Sequence, residues 1–107
     1  MLDDNLLRRR LTWDDARAFE KSKVEFLPAD EPGAAPLALD VVSVTERPPV
    51  VGAHQFSIIF RGPREPMLPQ RTYRVRHPSL GDFAIFVTAV GQSAASTDYE
   101  ACFSHVT

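Results

Sequence analysis

Thr72-Tyr73-Arg74-Val75-Arg76-His77-Pro78-Ser79-Leu80-Gly81-Asp82-Phe83-Ala84-Ile85-Phe86-Val87 decides the fold. Tyr73 and Val75 alternate with Arg74 and Arg76, the period of two that sends successive side chains to opposite faces of a strand. Pro78-Ser79-Leu80-Gly81 is a tight connection, so Tyr73–His77 and Phe83–Val87 pair as a hairpin. Phe83–Val90 is apolar on both sides and is the best candidate for a central strand.

Outward from this hairpin the alternation repeats. Gln55–Arg61 places Phe56, Ile58 and Phe60 on one face, and Tyr99–Val106 groups Tyr99, Ala101 and Phe103. Leu37–Thr45 is rich in β-branched residues and ends before Pro48-Pro49, while Lys23–Leu27 alternates ahead of a connection from Pro28 to Pro36. Residues 12–22 read as the one helix. Thr12-x-x-Asp15 has the form of a capping box, and Trp13, Ala16 and Phe19 recur on one face. Leu11, Trp13 and Phe19 are expected to close one open end or face of the sheet.

The later strands have no helices between them, so neighbours should be antiparallel. The expectation is a mainly β fold: a small antiparallel β-sandwich or partly open barrel of about six strands, with one short N-terminal α-helix. It forms a single domain over 1–107, with a leader at 1–11, the helix at 12–22 and the sheet at 23–106. A small open sheet leaves edges that must be capped or paired with another chain.

Composition narrows the classes. The chain has 107 residues, formal net charge −2, nine prolines and one cysteine. No apolar run is long enough for a membrane helix, and the acidic start is not a signal peptide. A lone cysteine forms no internal disulfide, which fits a reducing, cytoplasmic compartment. The slightly acidic total argues against a nucleic-acid coat protein.

Charge is segregated, however. Residues 61–76 hold Arg61, Arg64, Arg71, Arg74 and Arg76 against Glu65, a local charge of +4. Arg74 and Arg76 share a strand face, which reads as a patch for an anion or an acidic partner. Alternatively, the arginines pair with Asp40, Glu46, Asp98 or Glu100 on adjoining strands. Pro63, Pro66 and Pro69 recur every third residue, the polyproline II period, so the loop is a recognition ridge or simply a stiffened connection. Gly62 is expected to take a backbone conformation that a side chain would obstruct. Gln70 and Thr72 are expected to satisfy backbone groups of the loop.

Catalytic and metal signals are poor. Cys102-x-x-His105 is the one close Cys/His pair, and an offset of three on a strand puts the two on opposite faces. No metal site, cofactor or catalytic set is expected. Cys102 reads as a small buried apolar residue. Asp14 and Asp15 suit the start of a helix.

Phe60-Arg61-Gly62-Pro63, Pro66-x-Leu68-Pro69-Gln70-x-Thr72-Tyr73-Arg74 and His77-Pro78-x-Leu80-Gly81 carry a resemblance. The segment is similar to one shared by a family of short bacterial proteins without assigned function, which begins with a short helix near Leu11-Thr12. Arg71 stands where that family favours glycine, and Arg76 where an acidic residue is common. The resemblance implies companionship with phage-tail-like proteins, and so a structural or accessory role.

The leading expectation is therefore a non-enzymatic domain that works by association with a protein partner or with itself, away from membranes. The alternatives are a small anionic-ligand binder or enzyme with a pocket near the Arg61–Arg71 loop, and a weak nucleic-acid module. The candidate site residues are Arg61, Arg64, Gln70, Arg71, Tyr73, Arg74, Arg76 and His77.

Overall fold

The computed structural model describes residues 4–27, 35–48 and 50–106. Six strands follow two short helices: α1 (Asp4–Arg8), α2 (Trp13–Ala18), β1 (Lys23–Leu27), β2 (Leu37–Glu46), β3 (Ala53–Pro63), β4 (Arg71–His77), β5 (Gly81–Gln92) and β6 (Ser96–Val106). They form a closed antiparallel barrel in the order β1-β2-β3-β6-β5-β4. Of the connection read over 28–36, only Ala35 and Pro36 lie within the described residues.

The expected hairpin forms in the expected register, with Tyr73 opposite Ile85 and Val75 opposite Phe83. The barrel is closed rather than partly open because β1 has neighbours on both sides. Phe26 pairs with Leu37 of β2 and with Val75 of β4. Closure supplies most of the partners that an open sheet would lack, although residues 81–87 of β5 and 101–106 of β6 do not pair with each other.

Alternation along each strand sends one side-chain set inward. Phe26, Phe56, Phe60, Phe83, Leu39, Ile58, Ile85 and Tyr99 are fully buried, and the barrel axis is a packed core. Gly62 belongs to this inward set. Its backbone is ordinary for a strand; the constraint is space, because a Cβ there would lie 3.1 Å from Leu39 Cγ. The apolar outer side of β5 faces solvent, with Phe86 and Val90 about half exposed. Apolar residues on both sides of a strand thus did not signal cover on both faces. Cys102 is also exposed rather than buried, since it lies on the outward side of β6 between inward Ala101 and Phe103.

Helix α2 starts at the expected capping box, with Asp15 N donating to Thr12 Oγ1 and Thr12 N donating to Asp15 Oδ2, both 3.1 Å. It stops at Ala18, short of the expected Ser22. The chain tightens at Phe19, whose N–H bonds Ala16 O, and Lys21 then takes φ 59° to turn into β1. Part of the leader is helical as well: α1 lies against β5 and buries Leu6. Among the described residues no helix is long and apolar enough to cross a membrane.

β5 and β6 pair only over Thr88–Gln92 and Thr97–Glu100. At the other end of the barrel the N-terminal segment lies across the sheet. Trp13 packs on Phe56, and Phe19 meets Phe60 and Phe83. Leu11 and Phe19 are buried there and Trp13 half-buried, as a cover for that end requires.

Candidate functional site

The hairpin register that set the fold also sets its electrostatics. Arg76 lies opposite Asp82 across β4 and β5. Arg76 donates from Nε to Asp82 Oδ1 (2.9 Å) and from Nη2 to Oδ2 (3.1 Å), and Arg74 Nε donates to Oδ2 (2.7 Å). Arg9 arrives from the leader. Its guanidinium donates to the carbonyls of Leu80 (2.7 Å) and Asp82 (2.9 Å) and lies 3.9 Å over the Phe83 ring. Hydrogen bonding from Arg76, joined by Arg74 and by both positive charges, outweighs desolvation and holds the Asp82 carboxyl below its ordinary range.

The sign of the pH dependence follows. A depressed carboxylate contributes stability that is present above the ordinary carboxylate range and is lost as pH falls through the folded value. Asp82→Asn is expected to cost about 1 kcal/mol at neutral pH, since water screens the half-exposed arginines. At a pH below the carboxylate range the variant and wild type should have the same urea midpoint. A difference that persists undiminished in acid would assign the loss to packing.

The other candidate residues fall in separate places. Arg61 lies opposite Asp98 and forks onto it, Nε to Oδ1 at 2.7 Å and Nη2 to Oδ2 at 3.0 Å. Asp98 is likewise held low, by its hydrogen bond from Arg61 first. Arg64 donates to Ser93 O at 2.6 Å, while its own carbonyl accepts from Gln92 Nε2 and Thr97 Oγ1. Gln70 and Arg71 are exposed at the start of β4. The Tyr73 hydroxyl donates to Pro69 O, and Leu68 N donates to the Tyr99 hydroxyl at 2.8 Å.

Of the acids read as partners for the arginines, Asp98 takes Arg61 and Glu100 takes Arg47 at 3.5 Å. Arg74 and Arg76 instead converge on Asp82, which the sequence reading did not single out. The signal was available, because the register of the expected hairpin places Asp82 across from Arg76.

His77 is buried, with an internal role. Its Nδ1 accepts from the N–H groups of Ser79 (3.0 Å) and Leu80 (3.1 Å). Nε2 therefore carries the proton and donates to Ala18 O at 3.1 Å, close to Ser22 Oγ. The ring also lies 4.8 Å from Phe19.

The candidate residues do not line one common cavity. Arg76 and His77 border an open groove of ≈ 750 Å³ with Lys23, Glu25 and Ser79. Arg61 and Asp98 border another, of ≈ 420 Å³, with Gln92 and Ser93.

A cluster absent from the expectations sits where the N-terminal segment meets β3 and β6. His54 faces His105 across the ladder, next to the stacked pair Phe56 and Phe103. His54 Nε2 is 2.7 Å from Glu46 Oε2, and Trp13 lies edge-on to the His54 ring at 5.8 Å. Arg10, Thr12 and Asp14 complete the walls of a groove of ≈ 360 Å³ there. The two histidines are 51 positions apart in sequence, so only the β3–β6 register could have joined them. Among the described residues no group of three or more His, Cys, Asp or Glu side chains is placed to hold a metal ion.

Fold and surfaces together define a small closed antiparallel barrel with a filled interior and an outer wall laced by arginine–carboxylate pairs. The chain belongs to the DUF6916 family, a domain of unknown function whose family model matches residues 11–103. That match takes in both the capped helix and the Phe60–Gly81 segment. No curated protein and no solved structure is detectably similar to this chain.

Proposed function

We propose that this domain works by association rather than catalysis, as an accessory or structural part of a larger assembly of the phage-tail-like kind, through the outer wall of β5. The observation that carries this reading is the outward row on β5. Phe86 and Val90 are 52% and 54% exposed on a barrel whose interior is already full. Exposed apolar groups on one strand face mark the sort of surface that a protein partner or a second copy covers. The ligand-binding reading has less behind it. Arg76 at the ≈ 750 Å³ groove is engaged by Asp82, and both ring nitrogens of His77 are occupied. Nucleic acid is less favoured still, because Arg61, Arg74 and Arg76 are paired with carboxylates.

The test is light scattering over a concentration series, with Phe86→Glu/Val90→Glu beside wild type. The expected result is wild-type association at high micromolar concentration that the double variant loses, with thermal midpoints that agree. A wild-type monomer throughout, joined to equal recovery of host partners by wild type and variant, removes the reading.

A further inference from the structure

We propose that His105, facing His54 across the β3–β6 ladder and set against the Arg10–Trp13 stretch, is a pH-sensitive switch that loosens this stretch from the barrel end in mildly acidic solution. The geometry supplies both parts of a switch: a titratable group and a docked element that biases its charge.

His105 comes from β6, and its ring meets Phe56 of β3 edge-on at 5.4 Å. His54 of β3 is its register partner. Glu46, the carboxylate brought by β2, is already taken by His54 at 2.7 Å. From the N-terminal segment, Arg10 and Asp14 border the same groove, and among the described residues Asp14 is the one carboxylate lining it. Among the described residues the His105 side chain has no hydrogen bond or ion pair. Burial first, and then the positive charges of Arg10 and His54, push the His105 value below the ordinary 6.5.

The coupling has a definite sign. The docked state resists a proton on His105 that the loosened state accepts. Docking is therefore fully favoured above the ordinary histidine value and weakens as pH falls below it, until the docked value is reached. The cost of a second positive charge beside Arg10 falls on the contact that holds Trp13 against His54 and Phe56. This device would expose the apolar end of the barrel while leaving the strand ladders intact, and it is independent of the β5 surface.

Trp13 is the one tryptophan of the chain, which makes it a direct reporter. The measurement is acrylamide quenching of Trp13 between about pH 7.5 and about pH 5, with far-UV circular dichroism recorded alongside. The expected result is a rise of about twofold in the quenching constant in acid, with the β spectrum unchanged. His105→Gln should flatten the profile. Arg10→Gln, an exposed change that leaves the core alone, should shrink the rise because the like charge is gone. His54→Gln, which removes the lesser of the two like charges, should shrink it less than Arg10→Gln does. A flat wild-type profile overturns the proposal, as does a rise that survives His105→Gln or one that disappears only with His54→Gln. Loss of the β spectrum over the same interval also overturns it, since the event would then be global unfolding.

Discussion

Phe19→Ala is expected to lower stability by about 3–5 kcal/mol, the range for truncating a fully buried aromatic ring. Phe19 is 0% exposed and sits where α2 ends, so its ring is held by the helix and enclosed by the barrel. It meets Phe60 at 6.4 Å, Phe83 at 5.9 Å and His77 at 4.8 Å, which ties β3, β4 and β5 to a single side chain. Trp13 has the larger ring but is only half-buried, and Trp13→Ala should cost about 2 kcal/mol. Urea unfolding of both variants checks the ranking. A Trp13 loss equal to or larger than that of Phe19 would mean that the edge of the cover, rather than its buried plug, holds the end shut.

His77→Ala is expected to cost about 2–4 kcal/mol, because truncation leaves buried partners unmatched. The amides of Ser79 and Leu80 lose their acceptor, Ala18 O loses its donor, and Phe19 loses the neighbouring ring. Two further substitutions divide the effect. The side-chain oxygen of His77→Asn can reach where Nδ1 stood and keep the turn amides satisfied, but cannot reach Ala18. His77→Gln extends far enough for Ala18 and gives up the turn. Each should recover part of the loss relative to His77→Ala. Equal midpoints for all three variants would reduce the role of His77 to filled volume.

The strands were legible from their period of two or their β-branched residues, even though bulges between Val41 and Ser43 in β2 and between Ala89 and Gly91 in β5 interrupt the alternation. Lys23–Leu27 was read at its observed bounds, and the other strands differ mainly in having longer ends. Those ends lie in polar or turn-rich stretches such as Ser96-Thr97-Asp98, where pairing with a neighbour, not local pattern, extends the ladder. Closure was not legible, since it depends on β1 meeting β4, strands separated by most of the chain. The α1 helix escaped for a related reason. Five residues have little helical stability of their own, and what fixes α1 is the burial of Leu6 against the barrel beside the Arg9 anchor.

The basic segment shows the limit of reading charge along a chain. The +4 over 61–76 is real, yet Asp82 and Asp98 lie outside that window in sequence and inside hydrogen-bonding distance in space. Asp82 lies within the β4–β5 hairpin that the alternation predicts, opposite Arg76. The His54–His105 pairing was not legible in this way, because it needs the register between two strands that are not consecutive.

The loop after β3 is fastened at both ends by side chains of the barrel strands. Gln92 and Thr97 hold the carbonyl of Arg64, while Tyr99 and Tyr73 hold Leu68 and Pro69. Glu65, Pro66 and Met67 span the interval between these fastenings with their side chains in solvent. Such a stretch is a natural grafting point: foreign residues could be displayed there on a rigid mount, because the tyrosine clasps that hold it belong to the mount and not to the graft.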